Sequence, residues 1–229
     1  MEAAVNRKTQ PLAVLVCPGI ARLTVLSGAA PVGKSYVLSG DLLSVGGRDE
    51  DVDFSMDPMV APKHATIVNR DGAYFIRDEG SSNGVYLRII DRAQLTLPAI
   101  VRVGGQVLHI VSTNDDQPYK WVDGTRLLAS PARKGTFAVH QVFEGGTVGA
   151  SALVSSNFIT VGGKGSVLDL GHDPSVSQDH ARIFEEDGVV WIEDEGSTNG
   201  TYVRIQGETA IEHGDLLWIG QQLVRIDIT

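Results

Sequence analysis

The heptapeptide Asp78-Glu79-Gly80-Ser81-Ser82-Asn83-Gly84 returns almost unchanged, 116 residues later, as Asp194-Glu195-Gly196-Ser197-Thr198-Asn199-Gly200. At that spacing the chain aligns with itself without a gap from Val45/Val161 to Ile110/Ile226, and 25 of the 66 aligned positions are identical. So long a period is a whole small domain and not a solenoid repeat, so the chain carries a duplicated module. Asn-Gly is a strong turn signal. Each copy lies between an apolar-rich run and a tyrosine-containing run, so each reads as a loop joining two strands. Two small hydroxyl residues and an Asn exceed the hydrogen-bonding needs of a turn, which makes the loop a candidate for recognition.

Around the loops the chain alternates in short runs. Ala21-Arg22-Leu23-Thr24-Val25-Leu26 and Ser35-Tyr36-Val37-Leu38 flank a Gly/Pro turn, and Ala65-Thr66-Ile67-Val68 and Tyr74-Phe75-Ile76 flank Asp71-Gly72. Short strands punctuated by Gly, Pro, Asn and Asp predict an all-β chain of antiparallel sandwiches. With 229 residues there is material for two cores. The expected organisation is a leader over 1–11, a first domain over 12–111, a linker over 112–134 and a second domain over 135–229.

The net charge of −9 excludes a nucleic-acid partner that needs a basic face. Most of it lies in residues 135–229, which carry four Lys/Arg against fourteen Asp/Glu. A single cysteine, Cys17, leaves no internal disulfide or cysteine-based metal site and suits a cytoplasmic protein. The basic Arg7-Lys8 and the apolar run from Pro11 to Ile20 are too short and proline-broken for a removed signal. No stretch approaches transmembrane length.

In order, Gly46-Gly47-Arg48, Asp57-Pro58, Lys63-His64-Ala65, Asp71-Gly72 and Ser81-Ser82-Asn83-Gly84 resemble the forkhead-associated (FHA) family. So do Gly162-Gly163-Lys164, Asp173-Pro174, Ser177, His180-Ala181, Asp187-Gly188 and Ser197-Thr198-Asn199-Gly200. The resemblance implies two antiparallel sandwiches of about eleven strands each, whose loops at one end bind a phosphothreonine peptide. It also implies that an Arg after Gly and a Ser ahead of the His hold the phosphate. The Ser/Thr and Asn before the last Gly complete the site, and the His is a structural brace.

A phosphate bearing close to two negative charges calls for a guanidinium fork and hydroxyl or backbone donors. Carried over by position, the phosphopeptide-binding candidates are Arg48, Lys63, Ser82 and Asn83 in the first repeat, and Lys164, Ser177, Thr198 and Asn199 in the second. His64 and His180 are the braces. Each site is half equipped. The first has Ala61-Pro62 where the family carries Ser-Arg, and the second has Lys164 for the Arg and Gln178-Asp179 for the following pair. Lys in place of Arg keeps a point charge and loses the fork.

Gly28 to Ser35 satisfies the P-loop pattern, but the following Tyr36-Val37-Leu38 reads as a strand where a P-loop needs a helix. His64 and His180 have no nucleophile placed with them, and the remaining histidines form no ligand-spaced cluster. The acidic runs at Asp49-Glu50-Asp51 and Glu193-Asp194-Glu195 lack calcium-loop spacing. Arg88 and Arg204, identical in the two copies, fit a strand-surface charge pair or a ligand contact. The expectation is a cytoplasmic, non-enzymatic adaptor without cofactor or metal, docking onto phosphothreonine-containing partners of a Ser/Thr kinase pathway, with self-association left open. The competing reading is a phospho-independent scaffold or secretion-machinery module.

Overall fold

The computed structural model describes residues 20–113, 135–154 and 158–229. The leader 1–11, Cys17 and all of the linker 112–134 except Ser112 and Thr113 lie outside the described residues. Each repeat contributes ten strands among those described. The first supplies β1 (Ala21–Ser27), β2 (Ser35–Val37), β3 (Leu42–Gly46), β4 (Val52–Asp53), β5 (Ala65–Arg70), β6 (Ala73–Asp78), β7 (Val85–Arg88), β8 (Arg92–Leu95), β9 (Ala99–Val103) and β10 (Gln106–Ser112). The second supplies β11 (Phe137–Val142), β12 (Val148–Val154), β13 (Phe158–Gly162), β14 (Leu168–Asp169), β15 (Asp179–Glu186), β16 (Val189–Asp194), β17 (Thr201–Arg204), β18 (Glu208–Ile211), β19 (Leu216–Ile219) and β20 (Gln222–Ile228).

The strands collect into two compact units that cut across the repeats 12–111 and 135–229. One is built from residues up to Ile89 together with Tyr202–Thr229, the other from Ile90–Thr201. In the first unit a sheet of order β17-β7-β19-β20-β1-β2 covers a second of order β18-β6-β5-β3-β4. In the second unit the orders are β12-β11-β10-β9 and β14-β13-β15-β16-β8. The first repeat thus gives up β8, β9 and β10 but keeps β7, while the strands that the second repeat gives up include β18, β19 and β20. Strand β18 pairs with β6, Thr209 opposite Ile76, and β8 pairs with β16, Ala93 opposite Ile192. Pairing is antiparallel except for the short contacts β3 with β4 and β13 with β14.

Period-2 burial drives the assembly. Strand β1 buries Ala21, Leu23 and Val25 and turns the residues between them outward. Leu23 lies opposite Ile226 in a core shared with Val45, Ile67, Ile76, Leu217 and Val224. Complete burial of one such aliphatic side chain is worth about 1.5–3 kcal/mol. In the second unit Phe137, Ile159, Ile183 and Ile192 are buried alongside Val101, Leu108 and Ile110 from the first repeat. Both cores are therefore mixed in origin.

The tight hairpin turns are Asp71-Gly72 and Asp187-Gly188, where both residues of each pair have positive φ, as a twist-matched two-residue turn requires. The Asn-Gly pairs behave differently. Gly84 and Gly200 have φ of 79° and 81°, but Asn83 and Asn199 are not left-handed. Their amides are used elsewhere.

Candidate functional site

Three loops converge in each unit. In the first, the Gly47 N–H is shared between the carbonyls of Ala61 (2.9 Å) and Pro62 (3.2 Å). This approach leaves no room for a side chain, since a Cβ on Gly46 would strike the Pro62 carbonyl. The second unit repeats it: the Gly163 N–H reaches the carbonyls of Ser177 (3.1 Å) and Gln178 (2.9 Å), and a Cβ on Gly162 would strike the Gln178 carbonyl. The paired glycines bring Arg48 and Lys164 beside the loops that follow Asp57-Pro58 and Asp173-Pro174.

The signature loop is fastened to the same place by its Asn. Asn83 Nδ2 donates to the Met59 carbonyl and Asn199 Nδ2 to the Ser175 carbonyl, both at 2.8 Å. No other hydrogen bond to the Asn83 or Asn199 side chain is made by an oxygen or nitrogen of the described residues, so each Oδ1 remains available as an acceptor.

Beneath the loops lie His64 and His180, both fully buried. His64 Nδ1 accepts the Ala61 N–H at 3.0 Å, which fixes the tautomer and leaves Nε2–H to donate to the Gly84 carbonyl at 3.0 Å. His180 does the same between the Ser177 N–H (3.0 Å) and the Gly200 carbonyl (3.2 Å). Burial, the largest cause, holds His180 below the usual imidazole range, so it is neutral. Ser81 and Ser197 receive the N–H of Gly84 and Gly200, each at 2.9 Å. Ser197 donates to Asp194, which accepts also from Thr201; burial raises the pKa of this carboxyl, but these hydrogen bonds prevail and hold it low. These contacts occupy both ring nitrogens of each histidine.

The two units part at the residue before the brace. Ser177 Oγ accepts the Thr198 N–H at 3.1 Å. A hydroxyl that accepts one bond still has its proton to donate, and Ser177, Thr198 and exposed Lys164 line one rim. Gln178 Nε2 closes that rim from below by donating to the Lys164 carbonyl. In the first unit Ala61 occupies the serine's place, so that donor is missing. Arg48 is exposed, and no side-chain hydrogen bond or ion pair ties it down among the described residues. Ser82 and Asn83 are exposed beside it. Lys63 is drawn away: its Nζ lies 3.9 Å from the Glu79 carboxylate, held low by Thr66 first and by Arg77 next.

Three contributors are not evident from motif reading. Asp57 and Asp173 are anchored by Gln222 and Gln106, each from the other repeat. Arg204 braces the signature loop of the first unit, donating to the Ser81 carbonyl at 3.0 Å with Asp78 at 3.6 Å. Gln106 and Gln222 are aligned and identical at the 116-residue spacing, a signal that could have singled them out.

The P-loop-like stretch is a hairpin connection between β1 and β2, closed by the Gly33 N–H on the Val25 carbonyl. Lys34 Nζ stands 4.7 Å from the centre of the Tyr36 ring, and no helix follows. A cavity of about 250 Å³ beside it is lined by Lys34, Tyr36, Asp53, Met56 and Gln222. Among the described residues no three His, Cys, Asp or Glu side chains form a metal-binding group. Asp51 caps Ser44 through its N–H and hydroxyl, contacts that hold its carboxyl low. No helix of the described residues is long and apolar enough to cross a membrane.

Residues 43–107 and 149–220 each match the FHA domain. The chain belongs to the FHA family. Over 88 residues it is 30% identical to the FHA domain-containing protein FhaB of Mycolicibacterium smegmatis, a match covering 38% of this chain and 55% of that protein. FhaB of Mycobacterium tuberculosis is 31% identical over 87 residues, 38% of this chain and 54% of the other. The chain thus spans about half the length of these curated relatives. Among solved structures, Mycobacterium tuberculosis EmbR in complex with a low-affinity phosphopeptide aligns with a TM-score of 0.38 and 13% identity, covering 92% of this chain and 24% of EmbR. The FHA domain of CT664 from Chlamydia trachomatis aligns with a TM-score of 0.36 and 13% identity, covering 91% and 96%. FHA domains are non-catalytic binding modules; Ser81 Oγ does lie 3.1 Å from His64 Nε2, but both side chains are buried and the hydroxyl accepts the Gly84 N–H.

Proposed function

We propose that the chain is a non-enzymatic, cytoplasmic adaptor that docks onto phosphothreonine-containing proteins of a Ser/Thr kinase pathway, with the second repeat as the stronger reader. The observation that carries this is the Ser177 hydroxyl. It is fixed by the Thr198 N–H, keeps its own proton to donate, and sits on a rim with Lys164. A hydroxyl donor and an ammonium suit a phosphate dianion. Asn199 Oδ1, with the side-chain amide fastened through Nδ2 to the Ser175 carbonyl, suits a peptide N–H. The first repeat, with Arg48, Ser82 and Asn83 but Ala61, is a weaker anion site.

A phospho-independent scaffold is the competing reading, favoured by Ala61 and by the diversion of Lys63 to Glu79. A degenerate phosphothreonine peptide library, titrated against wild type, Ser177→Ala, Lys164→Ala and Arg48→Ala, separates the two. The adaptor requires phosphate-dependent binding that Ser177→Ala and Lys164→Ala weaken most. Equal affinity for the unphosphorylated library would sink it.

A further inference from the structure

The exchanged pairings carry a charge pattern that the self-pairings would reverse. Strand β18 enters the first unit with Glu208, which meets Arg77 in register and forms a two-pronged ion pair with Arg70, with its longer arm at 2.8 Å. Strand β8 enters the second unit with Arg92, which meets Glu193 in register, lies 3.4 Å from Glu186 and stacks 4.6 Å from the Trp191 ring centre. At the 116-residue spacing Arg92 is equivalent to Glu208, Arg70 to Glu186 and Arg77 to Glu193. The first repeat is basic at all three places and the second is acidic at all three.

Were each repeat to keep its own strand, Arg92 would face Arg70 and Arg77, and Glu208 would face Glu186 and Glu193. Every one of these juxtapositions would be between like charges. Exposed ion pairs are individually weak. Here, however, the same positions offer attraction in one topology and repulsion in the other, and cross-strand charges act through that difference. The apolar faces discriminate less, because β6 and β16 bury alternate residues in the same register, Tyr74 and Ile76 against Val190 and Ile192, although β8 buries Ala93 where β18 leaves Thr209 half-buried.

We propose that this charge code specifies the strand exchange: the face formed by Arg70 and Arg77 selects the acidic strand of the second repeat, and the face formed by Glu186 and Glu193 selects the basic strand of the first. The two FHA repeats are then one obligate assembly closed within a single chain, rather than independent beads.

The test inserts a protease site between positions 114 and 134 of the full chain and follows the cut protein by size exclusion with light scattering. Wild-type pieces stay together at the uncut mass near 24.5 kDa and part only in denaturant. The double variant Arg92→Glu with Glu208→Arg makes self-pairing the attractive choice, so its pieces separate without denaturant. The neutral pair Arg92→Gln with Glu208→Gln guards against misfolding of the swap. Its cut pieces are expected to dissociate at concentrations roughly tenfold or more above those of wild type. Wild-type pieces that part freely would overturn the exchange. If the swapped and neutral variants hold together as tightly as wild type, charge does not specify it.

Discussion

Gln222 Nε2 donates a 2.7 Å hydrogen bond to Asp57 Oδ2, 165 residues earlier in the chain, and both side chains are buried. The same carboxylate accepts the N–H of Gln221 at 2.7 Å and of Met59 at 2.9 Å. It thereby ties the β19–β20 hairpin of one repeat to the recognition loop of the other. Asp173 is held in the same manner by Gln106 at 2.7 Å and by the Gly105 N–H at 3.1 Å.

Replacing Gln222 by Met preserves length and removes the donor. A buried hydrogen bond to a charged group contributes about 1.5–3 kcal/mol, so Gln222→Met is expected to lower the urea midpoint by that equivalent. It should also speed amide exchange at Met59 and Val60 while leaving 175–178 unchanged. Uniform acceleration across both loops would contradict the local anchoring.

Arg204 and Arg88 are the same residue at equivalent positions, yet only one is engaged. Arg204 bonds the Ser81 carbonyl and neighbours Asp78, whereas Arg88 has no side-chain partner among the described residues. Arg204→Ala is therefore expected to cost about 1–2 kcal/mol, allowing for its partial exposure, and Arg88→Ala less than about 0.5. Thermal unfolding of the two variants side by side decides it, and equal losses would refute the distinction.

Ala61→Ser supplies the first repeat with the hydroxyl that Ser177 gives the second. The Ser82 N–H gains an acceptor and a phosphate gains a donor. Phosphothreonine peptide affinity at this site should rise about fivefold to tenfold, or about 1 kcal/mol. Calorimetric titration in a Ser177→Ala background isolates the effect, and an unchanged Kd would show that Arg48 is not aimed at the same phosphate.

His109 on β10 lies directly opposite His140 on β11, and its pKa is lowered by burial first and by His140 second. His180 is lowered as well. An imidazole with a depressed folded pKa takes up its proton first in the unfolded chain. Stability is therefore at its full value above the unfolded pKa of about 6.5 and declines as pH falls below it, until the folded state also protonates. Urea midpoints are expected to drop between about pH 7.5 and 5.5, less steeply in His109→Gln. A flat profile in the wild type would remove this linkage.

The strands, the paired glycines and the signature loop were legible because each depends on local chemistry repeated twice. The destination of β8 and β18 was not. Two homologous repeats offer each strand two docking faces with the same apolar register, so hydrophobic periodicity is blind to the choice. The charges at Arg70 and Arg77 against Glu186 and Glu193 set the faces apart, and those positions look like ordinary solvated surface until the partner strand is placed. The fate of Lys63 was hidden for a related reason, since its contact with Glu79 depends on how β6 ends beside the brace. Asn83 read as half of a turn, but its backbone is not left-handed and its amide is a fastener on Met59.

The exchange also dictates an order of events during synthesis. Thr24 Oγ1 bonds Asp227, 203 residues downstream, so β1 finds its neighbour β20 only after both repeats have been made. The second unit draws on one continuous stretch and can close first, while β1 to β7 wait with their apolar faces uncovered. Such non-local closure is slow and leaves sticky intermediates exposed. The first recognition loop is accordingly completed after the second, and a chain cut short before β18 is expected to hold a formed second unit and an open first one.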